Sequence, residues 1–381
     1  MIKKSKNIIV CAPFLDNIGG TEVEAVLTAI HLYDSNQYKI VTIFSPRECA
    51  SSIFKDIIEE RNIRFLHYPA FFNFKILLFL NRMLKKLGLK TPLLESVFWF
   101  FISLQYAGFF ILTYPGCVYF FPLFKFHNRN KKYVAKITMW HFETLSEKHQ
   151  VVYAKFTNVL VFNEEQKIFW EQSYLLKNTI ALDIMILNEN NLLSLPQKSF
   201  KHDVVLFGYL GRISREKNLE DMILLIDFLN NNNQLKCKLI IQGEGDLLYL
   251  EELELLVLKY NLSNFVTFKK EFISPLQTHV FYQNTDIFLV TSKIEGGPMT
   301  SLEAAAAGCY VMGYKIGAMQ DRFGQFPNVV NQNYKFLCDS ALTLLNLTTI
   351  EKNIFLYEFR KFYVSKLSNS TKVHKLNQLF K

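Results

Sequence analysis

Short apolar runs alternate with amphipathic stretches along most of this chain. Asn7–Pro13, reading Asn-Ile-Ile-Val-Cys-Ala-Pro, has the unbroken apolar pattern of a strand buried on both faces. Gly19-Gly20 then offers a tight turn, and Thr21-x-x-Glu24 has the spacing of a capping box that opens a helix to about Tyr33. The pattern continues with a strand at Tyr38–Ser45, a helix at Ser51–Arg61 and strands at Ile63–Tyr68, Cys117–Phe121, Val134–Trp140 and Val159–Phe162. It pauses at the polar, Asn-rich Leu187–Asp203 and restarts with strand Val204–Gly211, helix Leu219–Asn230, strand Cys237–Gly243 and helix Leu247–Tyr260. Strands at Phe265–Phe268, Ile287–Thr291 and Tyr310–Gly313 follow. Such alternation predicts an α/β fold of two doubly wound, Rossmann-like domains with a ligand cleft between them. The boundaries read as a first domain over 1–186, a linker over 187–203, a second domain over 204–350 and a helix-rich, charged tail over 351–381.

A length of 381 residues suits two cores better than one. The six cysteines are scattered, with no C-x-x-C and no His/Cys cluster, so neither a disulfide framework nor a metal site is expected and a reduced, cytoplasmic setting is. The N-terminal run Met1–Leu15 reads as a first strand and not as a signal peptide. The net charge of +9 is uneven: residues 1–180 hold 22 Lys/Arg against 14 Asp/Glu, and the remainder is almost balanced. That asymmetry points to an anionic surface beside the first domain.

Residues 70–126 break the regularity as a Phe-rich, basic insertion. Within it, Ile76–Lys90 carries Arg82, Lys85, Lys86 and Lys90 at mostly helical spacing, the pattern of a helix lying in a membrane interface. Leu93–Thr113 is about 20 residues of nearly continuous apolar character, long enough to span a bilayer. Glu95, Gln105 and the return to an α/β pattern argue against a span, which leaves interfacial docking as the favoured reading and plain core as the other.

The candidate chemistry gathers at strand ends. Glu295 precedes Gly296-Gly297-Pro298, after which Met299 to Ala307 is strongly helix-forming and Gly308 is a natural stop. The N–H groups of Met299, Thr300 and Ser301 would open that helix and favour an anionic group such as a diphosphate, with Gly297 a further candidate binding residue in the turn, Glu295 in the loop before it and Glu303 inside the helix. Two solvated acids on a capped surface helix are the plainer reading. Gly211, Arg212 and Lys217 follow another strand, where the two cations can neutralise a leaving diphosphate. Gly243 and Gly245 make a turn that lets backbone approach a ligand, and Gly19-Gly20 presents bare N–H groups from the first domain. His141 follows a strand and points to the same cleft. No G-x-G-x-x-G is present, which speaks against a nicotinamide dinucleotide, and no aromatic-basic motif suggests nucleic acid.

In order along residues 7–320, the pieces Gly19-Gly20-Thr21-Glu22, His141, Asn163-Glu164-Glu165-Gln166, Gly211-Arg212 with Glu216-Lys217, Gly243-Glu244-Gly245, Thr285–Ser292 and Glu295–Gly308 resemble the retaining GT-B glycosyltransferases with a Glu, seven-residue, Glu motif (group 1, or family 4, type). The resemblance implies that Arg212 and Lys217 bind the donor diphosphate, Glu303 the ribose hydroxyls and Glu295 the transferred sugar. It implies Gly20 facing the donor from the first domain, His141 near sugar and acceptor, and C-terminal helices that cross back to the first domain. Lys269-Lys270, where the family often has Gly, and the short stretch after Gly313 depart from the pattern.

The function so implied is metal-independent, cofactor-free transfer of a hexosyl group from a nucleotide-diphosphate sugar, UDP- in preference to GDP-linked. The acceptor is a saccharide hydroxyl, lipid-linked, in bacterial-type surface polysaccharide, lipopolysaccharide or capsule synthesis. The enzyme is then peripheral on the anionic inner face of the cell membrane. A sugar-nucleotide epimerase of GT-B fold and a non-catalytic partner subunit are the alternatives.

Overall fold

The structure, a computed structural model, describes residues 6–13, 15, 18–49, 51–69, 79, 82–84, 86, 93–113, 128, 130–138, 145–200 and 204–380. It forms two compact units, Met1–Asp183 with Val373–Lys381, and Ile184–Lys372.

In the first unit, β1 (Asn7–Cys11), β2 (Ile40–Phe44), β3 (Arg64–Leu66), β4 (Gly108–Thr113), β5 (Lys132–Ile137), β6 (Asn158–Val161) and β7 (Thr179–Ala181) make one parallel sheet of order β3-β2-β1-β4-β5-β6-β7. Its centre is fully apolar: Ile8 to Cys11 and Phe109 to Leu112 are all buried, as strands covered on both faces require. Helices start where side chains can take up the first free amides. Ser51 Oγ accepts from Phe54 N, and Asn163 Oδ1 accepts from Gln166 N at 2.8 Å.

The helix Gly20–Asp34 departs from expectation at its start. Gly19 is its N-cap with no side-chain cap bond, so Thr21-x-x-Glu24 is not a capping box. The helix begins two residues before the start a Thr21 cap would set, and Glu24 is instead buried against Lys136 of β5, Oε1 to Nζ 3.6 Å. The Lys136 ammonium also donates to the Leu182 carbonyl and lies 4.6 Å from the centre of the Phe162 ring.

The apolar run Leu93–Thr113 is not one element. It divides into the helix Leu93–Gln105 and the central strand β4, and among the described residues no helix is long and apolar enough to cross a membrane. One side of that helix packs Trp99 and Ile102 into the core. Val97, Phe100, Phe101 and Leu104, at i, i+3, i+4 and i+7, face solvent, the last 66% exposed. Of Ile76–Lys90 the structure describes five residues, all helical, with Phe79, Arg82, Met83 and Lys86 exposed. The expected strand Cys117–Phe121 lies outside the described residues.

In the second unit, β8 (Val205–Leu210), β9 (Cys237–Gln242), β10 (Val266–Lys269), β11 (Ile287–Val290), β12 (Tyr310–Tyr314) and β13 (Val330–Asn331) form a parallel sheet of order β10-β9-β8-β11-β12-β13. Within 187–203 the helix Glu189–Ser194 ends under Arg360, whose guanidinium donates to the carbonyls of Leu192, Leu193 and Leu195. The carbonyls at the end of this helix thereby gain a cationic donor, that of Leu192 in addition to the Leu195 N–H.

Candidate active site

Chain order reverses between β8 and β11, and at such a point the loops leaving the two carboxyl ends part and open a crevice. Both predicted clusters sit there. Gly211, Arg212 and Lys217 follow β8, and Glu295 to Thr300 follow β11.

The loop after β8 is a single 3-10 turn, Arg215–Lys217, closed by Asn218 in the left-handed region at φ 51°. It sets Lys217 Nζ 2.5 Å from Glu295 Oε1, with the two side chains only 15% and 18% exposed. Ser292 Oγ donates to the same carboxylate oxygen at 3.1 Å. Two bonds tie the loops together: Lys293 N donates to Glu216 O at 2.8 Å, and the buried Thr291 hydroxyl lies 2.8 Å from the Asn218 carbonyl. The cation and the acid are therefore presented as a fixed pair.

Arg212 is placed otherwise. It is on the same loop, but its guanidinium is 77% exposed and pairs with Glu216 at 3.0 Å. An exposed pair of this kind is weak and easily exchanged for an incoming anion.

Pro298 is the N-cap of the helix Met299–Ala306, with no side-chain cap bond, so Met299 and Thr300 open the helix with amides that lack intrahelical acceptors. Buried Arg322 anchors this start by donating to the Pro298 carbonyl at 2.7 Å and to Ser301 Oγ at 2.9 Å. Glu303, the fifth residue of the helix, is buried and accepts the Tyr282 hydroxyl at 3.0 Å. Burial raises its carboxyl from the ordinary 4.5 to about 7, and the Tyr282 bond offsets only part of that.

The sign of this shift makes a prediction. A carboxyl whose folded value exceeds its unfolded one favours the fold fully below about 4.5, and that contribution is lost as pH rises through about 7. Unfolding free energy measured between these limits should fall with a slope that Glu303→Gln removes; equal slopes in both proteins would exclude the shift.

The glycines divide by what surrounds them. A Cβ on Gly243 would meet the Gly211 carbonyl oxygen at 1.9 Å, and one on Gly245 the Ile213 carbonyl oxygen at 2.0 Å. These two therefore let the loops after β8 and β9 run backbone against backbone, with Ile213 N donating to Glu244 O at 2.9 Å. Gly20, in the first unit, has nothing within 4 Å of a built Cβ, whereas on Gly19 one would strike the Glu22 carboxylate at 2.5 Å. His141 lies outside the described residues.

Five site features carry no role in the sequence analysis: Thr291 and Ser292, which end a piece of the family resemblance, Tyr282, Arg322 and the Gly317-Ala318 turn. The Thr-Ser pair that ends the apolar run Ile-Phe-Leu-Val was the available signal, since polar residues just beyond a buried strand face the crevice. The other three act through contacts distant in sequence.

Residues 194–335 match the family model described as Glycosyl transferases group 1. The second unit carries a glycosyltransferase group 1 domain. An α-monoglucosyldiacylglycerol synthase of Streptococcus pneumoniae is 31% identical over 106 residues, a match covering 28% of this chain and 23% of that relative's length. Among solved structures, a glycosyltransferase from Rickettsia africae superposes with a TM-score of 0.73 at 12% identity, over 99% of this chain and 98% of the other. The Anabaena protein Alr3699/HepE, solved with UDP-glucose, superposes at 0.67 and 13% identity, over 98% and 99%. The fold is thus of GT-B type, with two Rossmann-like domains, and the Lys217–Glu295 pair lies within the residues that match the group 1 model.

Proposed function

We propose that the protein is a retaining glycosyltransferase that moves a hexosyl group from a UDP-linked donor to a saccharide hydroxyl. The observation that carries this reading is the Lys217–Glu295 pair at the β8/β11 reversal, beside the free amides that open the helix Met299–Ala306. A diphosphate at those amides would have Lys217 as its cation, with Arg212 as a second one released from Glu216. Glu295 would accept sugar hydroxyls, and Glu303 those of the ribose.

In the transfer, the C1–O bond to the diphosphate breaks and the acceptor oxygen bonds to C1 on the same face. The acceptor proton passes to the departing phosphate oxygen, and Lys217 and Arg212 hold the charge left there without a metal ion. The Anabaena structure with UDP-glucose supports the choice of UDP.

The acceptor is lipid-linked in this reading, in synthesis of a bacterial-type surface polysaccharide, lipopolysaccharide or capsule on the cytoplasmic leaflet. The relative named for a glucosylated diacylglycerol supports a lipid-borne acceptor. So does the outward row Val97, Phe100, Phe101 and Leu104, together with exposed Arg82 and Lys86, which suits an anionic membrane surface. Flotation with anionic vesicles at low salt tests this part, and a protein that stays unbound removes it.

Thermal stabilisation by a panel of UDP- and GDP-sugars, followed by product analysis with and without acceptor, tests the whole. The expected result is stabilisation by one UDP-sugar and transfer with the anomeric configuration kept. An epimerised sugar formed from donor alone would overturn the proposal.

A further inference from the structure

Lys217 is held in place by a hydrogen-bond chain that starts on a third loop, the one leaving β12. Asn218, the next residue, is buried in the left-handed region, and its side-chain amide donates to Asp221 Oδ2 at 2.6 Å. The same carboxylate oxygen accepts the hydroxyl of Tyr314, the last residue of β12. The backbone thus pinned carries Lys217, whose own carbonyl lies 3.1 Å from the Thr291 hydroxyl.

The β12 loop also reaches the other member of the pair. Ala318 N donates to the Gly296 carbonyl at 2.9 Å. Gly317, at φ +51°, passes so close that a Cβ there would meet that carbonyl oxygen at 2.2 Å. The loop over 314–318 therefore grips the Lys217 side through Asp221 and the Glu295 side through Gly296.

We propose that Asp221 and Tyr314 are positioning residues that set the Lys217 ammonium against Glu295 and so at the donor diphosphate. Their role in turnover rests on the transfer reading above; their effect on Lys217 does not. With the Asp221 carboxylate gone, Asn218 loses the bond that keeps it in a sparsely populated conformation, and the 3-10 turn carrying Lys217 loses its fixed end. Displacing a charged group by about 1 Å can cost up to about 10²-fold in rate.

The test compares Asp221→Leu, Asp221→Asn and Tyr314→Phe with the unaltered protein in two readings. The first is the rate at which an amine-acylating reagent labels Lys217, followed by mass spectrometry; the second is kcat and KM with the UDP-sugar found active. Asp221→Leu should label Lys217 several-fold faster and lose about tenfold or more in kcat, and Tyr314→Phe should move both readings in the same direction. Asp221→Asn keeps an oxygen that accepts from Asn218 and Tyr314, and should recover most of both. A folded Asp221→Leu protein with unchanged Lys217 labelling and kcat overturns the proposal. Should Asp221→Leu fail to fold, unchanged readings in Tyr314→Phe overturn it equally. Should the unaltered protein turn over no donor, the transfer reading fails while Lys217 labelling still decides the positioning.

Discussion

Lys217→Ala should lower sugar transfer by on the order of 10²-fold or more while leaving the fold in place. Two effects add. In the proposed transfer the departing diphosphate would lose the cation that meets its developing charge, in a crevice where Lys217 is mostly sheltered from water. Glu295, now without its 2.5 Å partner, also becomes a negative charge beside a negative ligand. The second effect makes the loss non-additive: Lys217→Ala combined with Glu295→Gln should fall less than the product of the two single losses. Stability should fall by less than when a fully buried pair is broken, because the Glu295 side chain keeps 18% exposure and its bond from Ser292. Single-turnover rates with melting curves would check both halves, and unaltered turnover in the folded Lys217→Ala protein removes Lys217 from the mechanism.

The largest effect on stability is expected from Lys136, in the other unit. Its side chain is 1% exposed and that of Glu24 is 7% exposed, so neither charge has water to fall back on. Lys136→Ala leaves the Glu24 carboxylate buried without this cation, and breaking one side of such a pair costs about 3–5 kcal/mol. For a unit of this size that is a fall of about 10 °C in melting temperature. Replacing both charges together, Glu24→Leu with Lys136→Met, should restore much of the loss, since an apolar pair of similar volume needs no compensation. Denaturant midpoints for the three variants measure this, and a Lys136→Ala protein within about 1 kcal/mol of the parent would show that the pair does not hold this junction.

Glu24 also shows where a sequence stops being legible. Thr21 and Glu24 have capping-box spacing, yet the decisive partner of Glu24 is Lys136 on β5, more than a hundred residues away. A local rule has no access to such a contact. The run Leu93–Thr113 failed for another reason: a helix with apolar residues on both sides and a strand buried on both faces are equally continuous in sequence, so periodicity alone does not find the break at Tyr106-Ala107.

What could be read were the strand ends and the loops after them. Buried parallel strands stand out as apolar runs, and the chemistry of a doubly wound sheet lies just past their carboxyl ends. Lys217 is legible that way and Glu295 from the Gly-Gly-Pro turn and helix start behind it; 78 residues apart in sequence, they are in contact in the structure. Asp221, Tyr314 and Arg322 were not: Tyr314 meets the Asp221 carboxylate across 93 residues and Arg322 holds the Pro298 carbonyl across 24, contacts that no local pattern records.

The division of the chain has a consequence for its synthesis. The second unit is one continuous stretch, Ile184–Lys372, and every strand of its sheet has left the ribosome before Val373 is made. The first unit begins earlier but waits longer. Phe380 fills the space beside Gly108 of β4, where a Cβ would lie 2.9 Å from the ring, and its ring stands 6.4 Å from those of Tyr38 and Phe110. The half that emerges first is therefore the half completed last, and its central sheet must pass through translation with one apolar surface still uncovered, a natural point for a chaperone to engage.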